Sequence, residues 1–100
     1  MLKGILEGCI LAIINDSPTY AYELTVKLHQ KGLTHTSEGS IYPLILRLQK
    51  EGLVISENRK STVGPDRKYL SLTAEGVEAL NDFSIEWSAL SNAVKVIVRE

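Results

Sequence analysis

One hundred residues is the length of a single domain, and a chain of this size removes only about 60–65 % of its unfolded surface on folding, so its core is modest. Hydrophobic residues nevertheless make up 44 % of the chain, a surplus that invites burial against a second copy. The formal charge of −1 resolves into a −2 head over residues 1–26, a +4 middle over 27–68 and a −3 tail over 69–100. Phosphate contacts are short-range at physiological salt, so the local field of the middle counts for more than the sum, with an ordinary mixed surface as the plain alternative.

Much is excluded at this level. Cys9 is the only cysteine, which rules out an internal disulfide, and in its apolar run it reads as a small buried hydrophobe. His29 and His35 are not spaced with carboxylates or cysteines into a metal set, so neither metal nor cofactor is expected. The apolar stretch 1–14 is broken by Lys3 and Glu7, is too short to cross a bilayer and is followed by no small-residue cleavage site. The expected location is the cytoplasm, away from membranes. No nucleophile has a base at a useful spacing, no paired carboxylates face a cleft and no phosphate-binding glycine loop is present, so the chain does not read as an enzyme.

Leu2 to Ile14 carries apolar residues at 2, 5, 6, 9, 10, 13 and 14, the spacing of a helix with a wide buried stripe. Asn15-Asp16-Ser17-Pro18 stops it. Asp16, Ser17 and Thr19 can each accept from free amides at the next helix start, and Pro18 suits its first turn. A second helix is predicted from Thr19 to Gln30, with Ala21, Leu24 and Leu28 inward and Gly32 as its stop. Ser37 caps a third helix reaching Glu51, in which Ile41, Leu44, Ile45 and Leu48 face a core while Ser40, Pro43 and Arg47 share a polar side. Gly52 closes it. Leu53 to Glu57 is short and β-branched, Asn58 to Asp66 contains the Gly64-Pro65 turn signal, and Arg67 to Leu72 alternates, which together predict a hairpin with a basic tip. Thr73 caps a last helix opening on Ala74-Glu75, with acids in the first turn where the helix dipole favours them.

Helix, helix, helix, hairpin, helix is the order of a winged helix-turn-helix. The predicted fold is mainly α with a small β-hairpin (α+β). Residues 1–72 are expected to form a winged-helix DNA-binding unit and 73–100 a long C-terminal dimerisation helix.

Three motifs now carry a resemblance. Ser37-Glu38-Gly39-Ser40-Ile41-Tyr42-Pro43-Leu44 with Arg47-Leu48 and Glu51-Gly52-Leu53-Val54 resembles the recognition helix of PadR-type regulators. Gly64-Pro65-Asp66-Arg67-Lys68-Tyr69 and Leu72-Thr73-Ala74-Glu75-Gly76 resemble that family's wing and the start of its final helix, and Tyr22-Glu23-Leu24 matches in the second helix. Essentially the whole chain is covered. Ala21 stands where glycine is common and Leu70 where a second tyrosine is common. The short chain resembles the small members, with one C-terminal helix. Such members hold flat aromatic molecules in a dimer-interface cavity lined by a tryptophan. The resemblance therefore implies Trp87 as the effector-binding residue for a planar aromatic small molecule, with a packing anchor in the dimer interface as the alternative.

The residues support the same reading on physical grounds. A helix on a compact scaffold enters the major groove with its N-terminal residues nearest the base edges. Gly39 and Ser40 permit close backbone approach, and the Ser37 hydroxyl with the free amides at the helix start can meet a phosphate. Tyr42 offers a hydroxyl to phosphate or a ring to sugar, unless it is a core aromatic. Arg47 can reach phosphate or guanine, unless it is a solvated charge. Pro43 removes a ladder bond and so marks a shaped surface. Arg59, Lys60, Arg67 and Lys68 cluster on the hairpin, suited to neutralising phosphate beside the recognition helix. Leu80, Phe83, Trp87, Leu90, Val94 and Ile97 step 3-4-3-4-3 along the last helix, the spacing of a coiled-coil seam. That helix would be about 37 Å long and would outreach its head, so the seam and the first helix are expected to form a homodimer interface. The leading expectation is a ligand-responsive repressor that binds a pseudo-palindromic operator in double-stranded DNA as a homodimer. The alternative is a winged-helix protein-interaction module without DNA binding.

Overall fold

The protein is described by a computed structural model, which covers residues 2–60 and 64–99, with side chains from residue 4 onward. The first helix, α1 (Leu2–Asp16), runs through Asn15 and Asp16 rather than stopping before them. Ile10, Ile13 and Ile14 on it are buried. These residues meet Leu24 and Leu28 of α2 (Ala21–Gln30) and Ile41, Leu44, Ile45 and Leu48 of α3 (Glu38–Lys50) in one core. The predicted inward residues of α3 are its buried ones, because four apolar side chains at helical spacing can share only one face.

The second helix begins later than residue 19. Its N-cap is Tyr20, in extended backbone and without a side-chain cap bond. Thr19 is instead fully buried and pairs with Leu70, donating its amide to the Leu70 carbonyl at 3.4 Å and accepting from the Leu70 amide at 2.7 Å. Its hydroxyl donates to Glu23 Oε1 at 2.6 Å. Thr19 is therefore a short third rung on the hairpin, and Pro18 lies outside the helix.

The hairpin consists of antiparallel β1 (Val54–Arg59) and β2 (Arg67–Leu72), in register from Val54↔Leu72 to Arg59↔Arg67. β1 extends two residues beyond Glu57 into the expected tip. Tip residues 61–63 lie outside the described residues. Only Val54 and Leu70 of the pair are buried, so the hairpin is held by its base. Such a ribbon is marginal alone and draws its stability from the helices.

The last helix, α4 (Ala74–Val98), has the predicted start. The Thr73 hydroxyl accepts from the Gly76 amide at 3.0 Å and donates to the Gly52 carbonyl at 2.6 Å, while the Thr73 amide donates to the Leu53 carbonyl at 3.1 Å. Gly52 has φ +79°, a backbone that side-chain-bearing residues resist, and it turns α3 into β1 at this joint. Gly76 is buried with the Leu53 carbonyl where a Cβ would stand. Farther along, the Phe83 ring lies flat on Gly8 of α1. Gly4 and Ile5 flank Trp87 and Leu90, so α1 and α4 are antiparallel and the last two turns of α4 run past the start of α1. This gives a molecule of 55 × 28 × 21 Å and a radius of gyration of 14.9 Å, against about 13 Å for a rounded domain of this length.

The joint makes a direct prediction. Gly76→Ala pushes a methyl into the Leu53 carbonyl and is expected to destabilise the chain by about 1–3 kcal/mol, read as a lowered urea midpoint. An unchanged midpoint would mean that the joint is loose.

Candidate nucleic-acid interface

With Ile41, Leu44, Ile45 and Leu48 inward, the opposite stripe of α3 is Gly39, Tyr42, Pro43, Leu46 and Lys50, all exposed. Leu46 is 48 % and Tyr42 51 % exposed, so Tyr42 is not a core aromatic. The first turn is locked by a reciprocal cap. The Ser40 amide donates to Ser37 Oγ at 3.2 Å and the Ser37 amide to Ser40 Oγ at 3.1 Å. The Ser37 hydroxyl that the sequence offers to phosphate is thus engaged, with that of Ser40, in holding the helix start, a role the Ser-x-x-Ser spacing permits. Glu38 in the first turn complements the helix dipole. Pro43 lies within an unbroken helix. Having no amide hydrogen, it leaves the Gly39 carbonyl without its ladder donor, and that acceptor lies on the exposed stripe.

Arg47 lies at the border of this stripe, not at its centre. Its Nε is 3.2 Å from Glu51 Oε2 and 3.6 Å from Glu7 Oε2 on α1. The hydrogen bond to Glu51, then the charge of Glu7, raise its pKa above the ordinary arginine value. Arg47 is therefore paired as well as solvated.

The wing places its charges by stacking. Arg59 and Arg67 stand opposite each other in register, an arrangement of like charges that costs stability. Each lies over a tyrosine: Arg59 is 4.5 Å from the Tyr69 ring centroid and Arg67 is 5.0 Å from that of Tyr20. Tyr20 and Tyr69 meet edge-on at 5.3 Å. Such cation–π contacts are worth about 0.5–1 kcal/mol each at exposed sites, enough to bias where the guanidinium groups rest, and Arg59 also lies 3.8 Å from Glu57 Oε1. Arg67 and Lys68 border an open depression of about 330 Å³ together with Tyr20, Tyr22, Asp66 and Glu38 of α3. The tip end of the wing's second strand and the first turn of α3 therefore share one surface. Lys60 is exposed at the end of β1, beside the tip.

The sequence reading missed Leu46, Lys50, Tyr20 and Tyr69. The first two were available from the same helical arithmetic applied to the outward side. The tyrosines depend on a contact between the start of α2 and the wing, which local sequence does not reveal.

The proposed seam on α4 divides. Leu80 packs on the chain's own core and Phe83 on its own α1. Trp87, Leu90, Val94 and Ile97 stand exposed, Ile97 by 77 %. Trp87 borders a cleft of about 260 Å³ with Gly4, Ile5, Phe83, Glu86 and Leu90. Cys9 packs partly buried against the core, and burial raises its thiol pKa, as befits an unreactive side chain. His29 is half-buried, and its Nε2 meets the Thr36 carbonyl ahead of α3. Among the described residues no three His, Cys, Asp or Glu side chains group as a metal site, and no helix is long and apolar enough to cross a membrane.

Residues 10–82 match the sequence profile of the transcriptional regulator PadR-like family. A PadR-like transcriptional regulator from Bacillus cereus is 48 % identical, with a TM-score of 0.91 over 100 % of this chain and 97 % of that one. A Streptococcus transcriptional regulator is 42 % identical, with a TM-score of 0.89 over 98 % and 96 %. The Bacillus subtilis PadR, solved in complex with operator DNA, has a TM-score of 0.72 over 81 % of this chain and 47 % of that one. At 23 % identity it shares the fold alone.

Proposed function

The chain belongs to the PadR-like family of transcriptional regulators, a family of regulators and not of enzymes, and from that premise we propose that it binds duplex DNA as a homodimer and acts as a ligand-responsive repressor in the cytoplasm. The observation that carries the reading is the outward stripe of α3, which no other described part of the chain covers, beside Arg67 and Lys68 at the tip end of the wing. A helix so presented suits the major groove. Tyr42, Pro43 and the Gly39–Ser40 backbone approach the bases or their phosphates, with Ser37 and the first-turn amides at the helix start. Lys60, Arg67 and Lys68 neutralise flanking phosphates, and Arg47 joins them from the border. The fold shared with the Bacillus subtilis PadR, solved in complex with operator DNA, supports binding to DNA.

Residues 1–72 read the DNA and 73–100 pair two copies. The exposed run Trp87, Leu90, Val94 and Ile97 continues a seam whose first members, Leu80 and Phe83, are already packed, and a second copy is the partner that its 3-4 stepping fits. α1, which flanks the seam at Gly4 and Ile5, would join the interface. A two-fold pair presents two recognition helices to a pseudo-palindrome with half-sites about one helical turn apart or a multiple of it. A planar aromatic effector at Trp87 would act by preferring one dimer geometry over another. The Thr73 joint, bonded to Gly52 and Leu53 just after α3, would carry such a change from α4 to the head.

Arg67→Ala with Lys68→Ala is expected to weaken binding to all duplexes alike and to flatten the dependence of log K on log salt by about 0.9 for each phosphate that the wing no longer neutralises. An unaltered slope would remove the wing from the interface. Binding by the unmodified protein that is absent, or indifferent to salt, would favour the protein-interaction reading. In sedimentation equilibrium the chain is expected at twice its mass, and Val94→Asp with Ile97→Asp at the single mass. Emission from Trp87, the only tryptophan, is expected to be quenched by planar aromatic dyes in the dimer. A monomeric unmodified chain contradicts the pairing, and unchanged emission contradicts the Trp87 site.

A further inference from the structure

Arg47 is a cation of α3 shared between two elements. Glu51, one turn on, travels with α3, so the 3.2 Å contact to it is kept however the helix moves. Glu7 belongs to α1, and its 3.6 Å contact to Arg47 exists only while α1 and α3 hold their present spacing. The two partners also differ in freedom. The Glu7 side chain is 18 % exposed and fixed on a packed helix, whereas that of Arg47 is half exposed and lies on α3 between Pro43 and Lys50, both on the outward stripe. A long guanidinium side chain at this border can turn inward to the carboxylate or outward to a phosphate, and a planar bidentate partner such as phosphate suits it well.

We infer that Glu7 competes with DNA phosphate for Arg47, so that the position of α1 sets how many cations the recognition helix offers. The inference rests on the DNA-binding reading above. It makes Glu7 a positioning residue that never touches DNA. It also gives the coupling a route. α1 carries Glu7 one residue before Gly8, on which Phe83 of α4 lies, and two residues after Ile5 in the Trp87 cleft. A shift of α1 against α3 that lengthens the Glu7–Arg47 contact frees the arginine, and one that shortens it withdraws the arginine from the groove. The Arg47 end of the pair is half exposed, and Glu7 Oε2, buried without a hydrogen bond, holds it by charge alone at 3.6 Å, a contact that a phosphate can match with direct hydrogen bonds.

The test uses the full chain and a labelled duplex selected from a random library by the unmodified protein. Glu7→Gln keeps the shape of the side chain and removes its charge. It is expected to tighten binding by roughly two- to fivefold per protomer, the range over which such a pair is worth breaking, and to steepen the salt slope by about 0.9 per protomer. Both gains are expected to vanish when Glu7→Gln is made in an Arg47→Ala background, which separates local competition from a general loss of negative charge. A role for Glu7 in packing alone would change the urea midpoint and leave the slope where it was. An unchanged slope, or an equal gain in the Arg47→Ala background, overturns the inference while leaving the DNA reading intact. Failure of the unmodified protein to select any duplex overturns the DNA reading, and this inference with it.

Discussion

Burial of Ile41, Leu44, Ile45 and Leu48 leaves α3 one rotational setting. Each of these side chains is worth about 1.5–3 kcal/mol when removed from water, so turning the helix by a third of a revolution would forfeit most of what holds it to α1 and α2. The outward stripe from Gly39 to Lys50 is therefore a consequence of the core. Its shape is then adjusted by residues that contribute little to folding: Pro43 removes a ladder bond, Gly39 removes a side chain, and Leu46 stays half in solvent. No other described part of the chain covers Leu46.

Around that helix the chain gives up stability to place charge. Arg59 and Arg67 oppose each other across the hairpin, and the arrangement is tolerated because Tyr69 and Tyr20 take one guanidinium each. Tyr20 sits at the end of a short extended segment that Thr19 pins to Leu70. The wing, the start of α2 and the first turn of α3 thus form one continuous surface. On the other side, Thr73 and Gly76 fix the start of α4, a long helix with an exposed apolar run, against the Gly52 turn.

Those parts that are governed by neighbours in sequence are legible without the structure. The Ser37 cap, the core face of α3, the Gly52 stop, the Thr73 cap and the whole span of α4 follow from local periodicity and capping chemistry, and the motifs at Ser37–Leu44 and Leu72–Gly76 lead to the family. What local reasoning misplaces depends on distant partners. Thr19 reads as part of a helix start until Leu70 claims its backbone. β1 ends at Glu57 by pattern, yet continues to Arg59, where the Tyr69 ring receives the guanidinium. On α3, polarity draws attention to Ser40 and Arg47, whereas geometry centres the exposed stripe on Gly39, Pro43, Leu46 and Lys50. Leu46 is passed over because a leucine in a helix is usually core. Arg47 reads as outward because Glu7, forty residues earlier in the chain, gives no sign in sequence of lying beside it.

The central claim is that the Leu46 side of α3 lies against DNA. It is tested most directly by placing a photo-cross-linking residue at position 46 and, separately, at position 85, which is exposed on α4, and irradiating each protein bound to its selected duplex. The account predicts cross-links to bases from position 46 and none from position 85. Salt-dependent binding with no cross-link from position 46, or with cross-links from position 85 instead, would contradict it.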